Sequence, residues 1–297
     1  MTLYNQGNRT YELKITNLKT GVEYKIDALR MKFSGFRSTK STSSKGKVEV
    51  YNLSKDTRDA FNVAGNKDST PNLMVELSVG YKGENSLILR GKAISFNVWR
   101  KPHIATVFEI SDGAFEQATA NAALKYVKGE SLNTVVKDLM DLVGLPKGEV
   151  FKLNSSLKED TAFKGRAPKI LDRLGSENGF RYIVENSVQS TVSTVSRQRE
   201  VFSLSSESGL IDIPYQKGSF LMAKCLMNPQ IRINQYVEVK PYSDILLEGV
   251  YRCLEMKFKG DTHGSSWDME LVLSLKDKVS TFKEFFDDIN TGKTYDV

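Results

Sequence analysis

Residues 209–275 read GLIDIPYQKGSFLMAKCLMNPQIRINQYVEVKPYSDILLEGVYRCLEMKFKGDTHGSSWDMELVLSL. Apolar residues fall mostly at every second position, as in Ile231 and Ile233, Val237 and Val239, or Leu271 and Leu273, with Arg232, Glu238 and Glu270 in the gaps. A period of two belongs to strands that rest one face on a core and turn the other to water. Asn228-Pro229, Lys240-Pro241 and the run from Gly260 to Gly264 interrupt the pattern where the chain must reverse. The stretch therefore predicts an antiparallel strand set of small-barrel size.

The N-terminal third repeats the pattern. Tyr11, Leu13 and Ile15 alternate, Thr20-Gly21 offers a turn, and Leu29, Met31 and Phe33 alternate again, which predicts a first hairpin. From Arg37 to Lys47 the chain is polar, with Arg37, Lys40, Lys45 and Lys47 and no acid. Two readings stand: a solvated hairpin tip, or an assembly arm that docks on an acidic partner or a phosphate backbone. Asn52 or Ser54 can cap a short helix carrying Asp56 in its first turn, with Ala60 and Phe61 beneath it. Strands are predicted through Leu73–Val79, Leu87–Leu89, Ile94–Val98 and Val107–Ile110, before Asp112-Gly113.

The period then changes. Leu132, Val135, Val136, Leu139 and Leu142 follow helical spacing, with Ser131 as N-cap and Gly144 and Pro146 as the stop. Pro168 opens a second helix through Ile170, Leu171 and Leu174, which Gly179 ends. Phe180, Tyr182 and Val184 predict a strand, and residues 187–199 a further strand and turn. Beyond Val279, the residues Phe282, Phe285, Phe286 and Ile289 are spaced to share one face of a short helix, a candidate docking face for this chain's own barrel or for a partner.

Several short motifs, in order, carry a resemblance. Gly209–Pro214, then Leu226, Asn228 and Pro229, Gly249-Val-Tyr-Arg252, Gly260-Asp-Thr-His-Gly264 and Trp267 resemble the C-terminal barrel of phage baseplate hub proteins of the late control protein D type. Tyr51-Asn-Leu-Ser54 with Thr57-Arg58, Val79-Gly80-Tyr81 and Arg90-Gly91 are similar to the N-terminal barrel of that family, with Val79 where the family often has Ala. The resemblance implies a structural hub: a homotrimer whose paired barrels ring an axial channel and adapt a sixfold tail tube to a threefold spike. It implies as partners a tail tube or distal tail protein, a central spike and a tape-measure protein, with DNA only in transit. Virion location at the tail baseplate and assembly in the host cytoplasm follow. Any cell-wall hydrolase would sit on a separate spike protein.

Composition and chemistry bound the alternatives. A chain of 297 residues, 40% hydrophobic and 26% charged, has material for two or three cored domains, and no apolar run suggests membrane insertion or a signal segment. Cys225 and Cys253 lie in apolar strand contexts and read as buried thiols. With only His103 and His263, no His-rich metal site can form, and Asp261-Thr-His263 reads as a hairpin turn between glycines. No phosphate-cradling glycine motif occurs, and Arg197 and Arg199 read as surface charge. No catalytic residue, cofactor or metal is expected. The net charge of +6 and pI near 9.0, with Tyr81, Trp99 and Tyr236 on strands, sustain an alternative, a nucleic-acid-binding β-barrel protein. A second alternative is a hub or spike component of a related contractile injection system. The expected architecture is mainly β (α+β): an N-terminal β-barrel over 1–112, a mixed α/β insert over 113–200, a C-terminal β-barrel over 201–278, and a tail with a short helix over 279–297.

Overall fold

A computed structural model describes residues 8–39, 44–62, 72–99, 102–194, 201–242 and 247–279. The chain is mainly β, and its described part divides into two compact units. One draws on the described residues of 8–39, 44–111 and 201–279; the other on those of 112–194.

The first unit holds a 13-stranded sheet. Its N-terminal strands are β1 (Arg9–Asn17), β2 (Glu23–Ile26), β3 (Met31–Ser38), β4 (Lys45–Tyr51), β5 (Leu73–Tyr81), β6 (Glu84–Trp99) and β7 (Ala105–Ser111). The expected first hairpin takes a different partner. β1 pairs with β2, where only Tyr24 and Ile26 mark the pattern, and the Met31–Phe33 segment opens β3, which pairs with β4 instead. The helix α1 (Lys55–Asn62) starts where Ser54 Oγ accepts the Thr57 N–H at 3.1 Å, and it drives Phe61 into an edge-to-face cluster with Tyr24 and Phe108. The two strands expected at 87–89 and 94–98 are one, β6, kept continuous through a bulge between Ala93 and Ser95.

The C-terminal strands of this sheet are β13 (Val201–Ser205), β14 (Tyr215–Lys217), β15 (Phe220–Leu226), β16 (Tyr236–Lys240), β17 (Gly249–Asp261) and β18 (Trp267–Val279). Ile231 and Ile233 are buried as expected, yet they lie in a turn-rich loop and not in a strand. The sequence places the N- and C-terminal strands in separate barrels; the structure joins them in one sheet through β3 and β17, which pair from Ser38↔Glu255 to Lys32↔Asp261. The pairing path runs β14-β15-β18-β17-β3-β4-β7-β6-β5-β1-β2, with β16 and β13 attached at β17. Among the described residues this path does not close on itself.

At the seam the inner face is tightly packed. Phe258, opposite Gly35, leaves no room for a side chain there: a Cβ on Gly35 would stand 2.0 Å from the ring. Phe33, opposite Gly260, repeats the arrangement at 2.3 Å and meets Trp267 edge to face. The ring on one strand fills the trough that glycine leaves on the next, and this lets the two strand sets approach.

The second unit contains α2 (Ala114–Thr119), β8 (Asn121–Tyr126), α3 (Leu132–Val143), β9 (Lys147–Val150), β10 (Thr161–Arg166), α4 (Ala167–Asn178), β11 (Phe180–Glu185) and β12 (Val188–Ser193). α3 and α4 begin and end as their sequences predict: Ser131 Oγ accepts the Asn133 N–H, Pro168 sits in the first turn of α4, and Gly144 and Gly179 take left-handed φ of 75° and 72°. Their apolar faces meet Phe180, Tyr182 and Val184 of β11 in one core. Gln189 is fully buried and satisfied, its amide donating to the Met140 and Leu145 carbonyls at 2.9 and 2.6 Å and accepting from the Tyr182 hydroxyl. Among the described residues no helix is long and apolar enough to cross a membrane.

Candidate functional site

Because opposed residues of antiparallel strands share a face, the seam's pairing sets out its outer surface row by row. In one row Glu270 (β18), Lys257 (β17), Phe36 (β3) and Lys45 (β4) stand side by side. In the next stand Asp268, Lys259, Ser34, Lys47 and, on β7, Glu109. Charge is therefore ordered outward from β3: serine and phenylalanine on the central strand, lysines on both its neighbours, and carboxylates on the strands beyond, except next to Lys45, where β7 presents Ser111. These residues, with Ile94, line a shallow concavity of about 590 Å³.

Ion pairing within the face is uneven. Lys47 meets Glu49 at 2.6 Å and Lys259 meets Asp268 at 3.6 Å. Lys45 and Lys257, one on each side of Phe36, are exposed and have no carboxylate at ion-pair distance among the described residues. Ile94 on β6, which lines the same concavity, is 47% exposed. An aromatic and an aliphatic surface rimmed by lysines can hold an anionic partner that also carries an apolar group.

The residues singled out in the sequence are distributed as follows. Lys45 and Lys47 lie on β4 within this face. Arg37 differs from the expected tip: it is 2% exposed on β3, its guanidinium stacks 5.7 Å over the Phe258 ring, and it donates to the Ile88 carbonyl. Ser38 and Thr39 are buried beside it, the Thr39 N–H donating to the Leu254 carbonyl at 2.9 Å. Lys40 lies outside the described residues, as do Arg197, Arg199, Phe282, Phe285, Phe286 and Ile289. Phe36, Lys257, Lys259, Asp268 and Glu270 were not singled out by the sequence reading; the signal was the period-two run Lys257-Phe258-Lys259, whose meaning depends on a neighbour more than 200 positions away.

Asp261-Thr-His263 forms the β17–β18 turn. The His263 N–H donates to Asp261 Oδ1 at 3.0 Å, and Thr262 Oγ1 accepts the Met31 N–H at 2.9 Å. Arg30 binds the Asp261 carboxylate at 2.9 Å, with Lys32 at 3.8 Å. Burial pushes the Asp261 carboxyl up; the Arg30 and His263 hydrogen bonds and the Arg30 and Lys32 charges outweigh it and hold the pKa below its ordinary 3.8. Arg9 reaches from β1 to the same turn, donating to the Gly264 carbonyl at 2.7 Å and lying 5.4 Å over Trp267. The cluster clamps a hairpin to β1 and β3. Tyr236, one of the strand aromatics behind the nucleic-acid-binding alternative, is 2% exposed and lies beneath Arg252. No group of three His, Cys, Asp or Glu side chains that could hold a metal ion occurs among the described residues.

The fold is similar to that of several solved tail proteins. The 43 kDa tail protein of prophage MuSo2 from Shewanella oneidensis superposes with a TM-score of 0.61 at 11% identity, over 89% of this chain and 96% of that one. A tail protein from Neisseria meningitidis MC58 gives 0.61 at 10% identity over the same shares. The E. coli c3393 protein, a type VI secretion system component described as structurally similar to the T4 tail proteins gp27 and gp5, gives 0.56 at 14% identity, over 88% of this chain and 76% of that one. At such identities the likeness is one of fold. No protein-family model matches the sequence, and no curated protein does.

Proposed function

We propose that this chain is a structural hub protein of a phage tail baseplate, of the late control D type, acting as a homotrimer. In this reading the strand sets on either side of the β3–β17 seam act as two barrel-like lobes, so that three chains present six similar lobes to a sixfold tube and three equivalent sites to a central spike. The ring encloses an axial channel through which DNA passes. Its neighbours are a tail tube or distal tail protein, the spike and a tape-measure protein, and its place is the virion tail. The chain itself carries no catalytic role.

The observation that supports this reading is the likeness of fold to the Shewanella tail protein, which spans 89% of this chain and 96% of that protein. A second reading, a hub or spike component of a contractile injection system, is favoured by the similar fold of the E. coli type VI secretion component. Electron microscopy of the purified protein tests the ring: a threefold particle with six peripheral lobes and a central hole is expected, and solid or asymmetric particles at every concentration would contradict it. Antibody labelling of particles from producing cells separates the two readings, since label gathers at a virion tail tip in the first and on a secretion apparatus in the second.

A further inference from the structure

We propose that the lysine-rimmed face around Phe36 receives the segment Glu284–Ile289 of a neighbouring copy of this chain. The segment reads Glu-Phe-Phe-Asp-Asp-Ile. The spacing of Phe282, Phe285, Phe286 and Ile289 predicts a helix for the tail on its own; bound in extended form instead, as the proposal requires, the segment would put Glu284, Phe286 and Asp288 on one side, acid, aromatic and acid in sequence. The face offers the complementary order, Lys257, Phe36 and Lys45 across three adjacent strands. Strands stand ~4.8 Å apart, so the two lysine positions are about 10 Å from one another, and successive same-side residues of an extended segment are ~6.6 Å apart. A segment crossing the strands thus sets each carboxylate near one ammonium while the two aromatics meet between them. Lys45 and Lys257 are the lysines of this face that have no carboxylate at ion-pair distance among the described residues, and Ile94 adds an exposed aliphatic side chain to the lining of the same concavity.

Reach argues for a second copy. Val279 pairs with Val250, and Phe36 pairs with Lys257, seven residues further along β17. At ~3.3 Å per residue and two strand spacings across, Val279 stands about 25 Å from Phe36. Phe286 follows Val279 by seven residues, which span about 25 Å only at full stretch and about 10 Å as a helix. A chain that must bend over its own sheet has no slack to reach this face, whereas a neighbour in a closed assembly is not bound by that distance.

The inference rests on the self-association in the reading above, and the test separates them. The full chain carrying the photo-crosslinker p-benzoyl-phenylalanine at position 286 is mixed with isotopically heavy wild-type chain, concentrated and irradiated, with native mass spectrometry on the same samples. The expected result is light–heavy crosslinks from position 286 to peptides containing Phe36, Lys45 or Lys257. Lys45→Glu combined with Lys257→Glu in the heavy chain should cut their yield at least tenfold, and Glu284→Lys with Asp288→Lys in the labelled chain should restore most of it. Crosslinks confined to light chains, crosslinks to another surface, or a yield indifferent to charge reversal would each overturn the docking site while leaving an observed assembly intact. A chain that stays monomeric at every concentration would overturn the ring reading together with it.

Discussion

Asp261 shows how one residue fixes a turn and makes its stability depend on pH. Its pKa is depressed in the folded chain, so its contribution is fully present above the unfolded value of 3.8 and fades as pH falls through the lower folded value. Asp261→Asn keeps the acceptor for the His263 N–H but removes the charge facing Arg30 and Lys32. Arg30 is 41% exposed, which screens the pair, so the expected loss at pH 7 is a small drop in the unfolding midpoint. Urea titrations of both proteins from pH 7 to pH 3 check this: the gap in midpoints should hold down to about pH 4 and narrow as pH falls further. Cys225 behaves in the opposite sense. Burial, and then the Asp268 charge, push its thiol up to about 12 from 9.0, so the folded state is favoured up to pH 9 and loses that share between pH 9 and 12. Both cysteines are at most 1% exposed, and iodoacetamide at pH 8 should therefore add no mass until denaturant is present. The apolar contexts of Cys225 and Cys253 made their burial readable from the sequence. Arg37 was not readable in that way, because an arginine among serines and lysines signals solvent, and only the Phe258 ring on a distant strand gives it an interior place.

The seam between β3 and β17 is the element on which the first unit turns. Gly35→Ala would push a methyl group into the buried Phe258 ring, which Arg37 covers from above. Overpacking of this kind costs about 1–3 kcal/mol. Thermal melts should register that loss, and exchange of the Lys257 and Lys259 amides should quicken more than exchange in α3, where the substitution touches nothing. Unchanged melting would mean that the ring moves aside freely. Elements that state their own limits were legible: α3 and α4 carry caps, stops and helical spacing within a dozen residues, and β17 and β18 carry long alternations bounded by the Gly260–Gly264 turn. β2, β9 and β10 were not, because strands of 4–6 residues with polar faces hold too few apolar positions to set a period. Ile231 and Ile233 failed for the complementary reason: alternation reports burial on one side, and a loop pressed to the core can satisfy it without a ladder.

For the molecule as a whole, the β-rich character and the mixed α/β region followed from local patterns, whereas the joining of N- and C-terminal strands did not. The pairing of Phe258 with Gly35 spans most of the chain, and no local period encodes which strand becomes a neighbour. That joining brings the lysines of β4 and β17 to the two sides of β3, so the candidate face could not be assembled from either half of the sequence alone. Its lysine half-set, Lys45 and Lys47, was nonetheless legible as a cationic stretch without acids. Under the proposed function, a sheet continuous across two strand sets would be built into a larger ring. The central claim is that ring. Native mass spectrometry across a concentration series, alone and with tube and spike proteins added, measures it most directly: the account predicts a species of three chains that grows with concentration or on addition of a partner, and a chain that remains monomeric under all these conditions would contradict it.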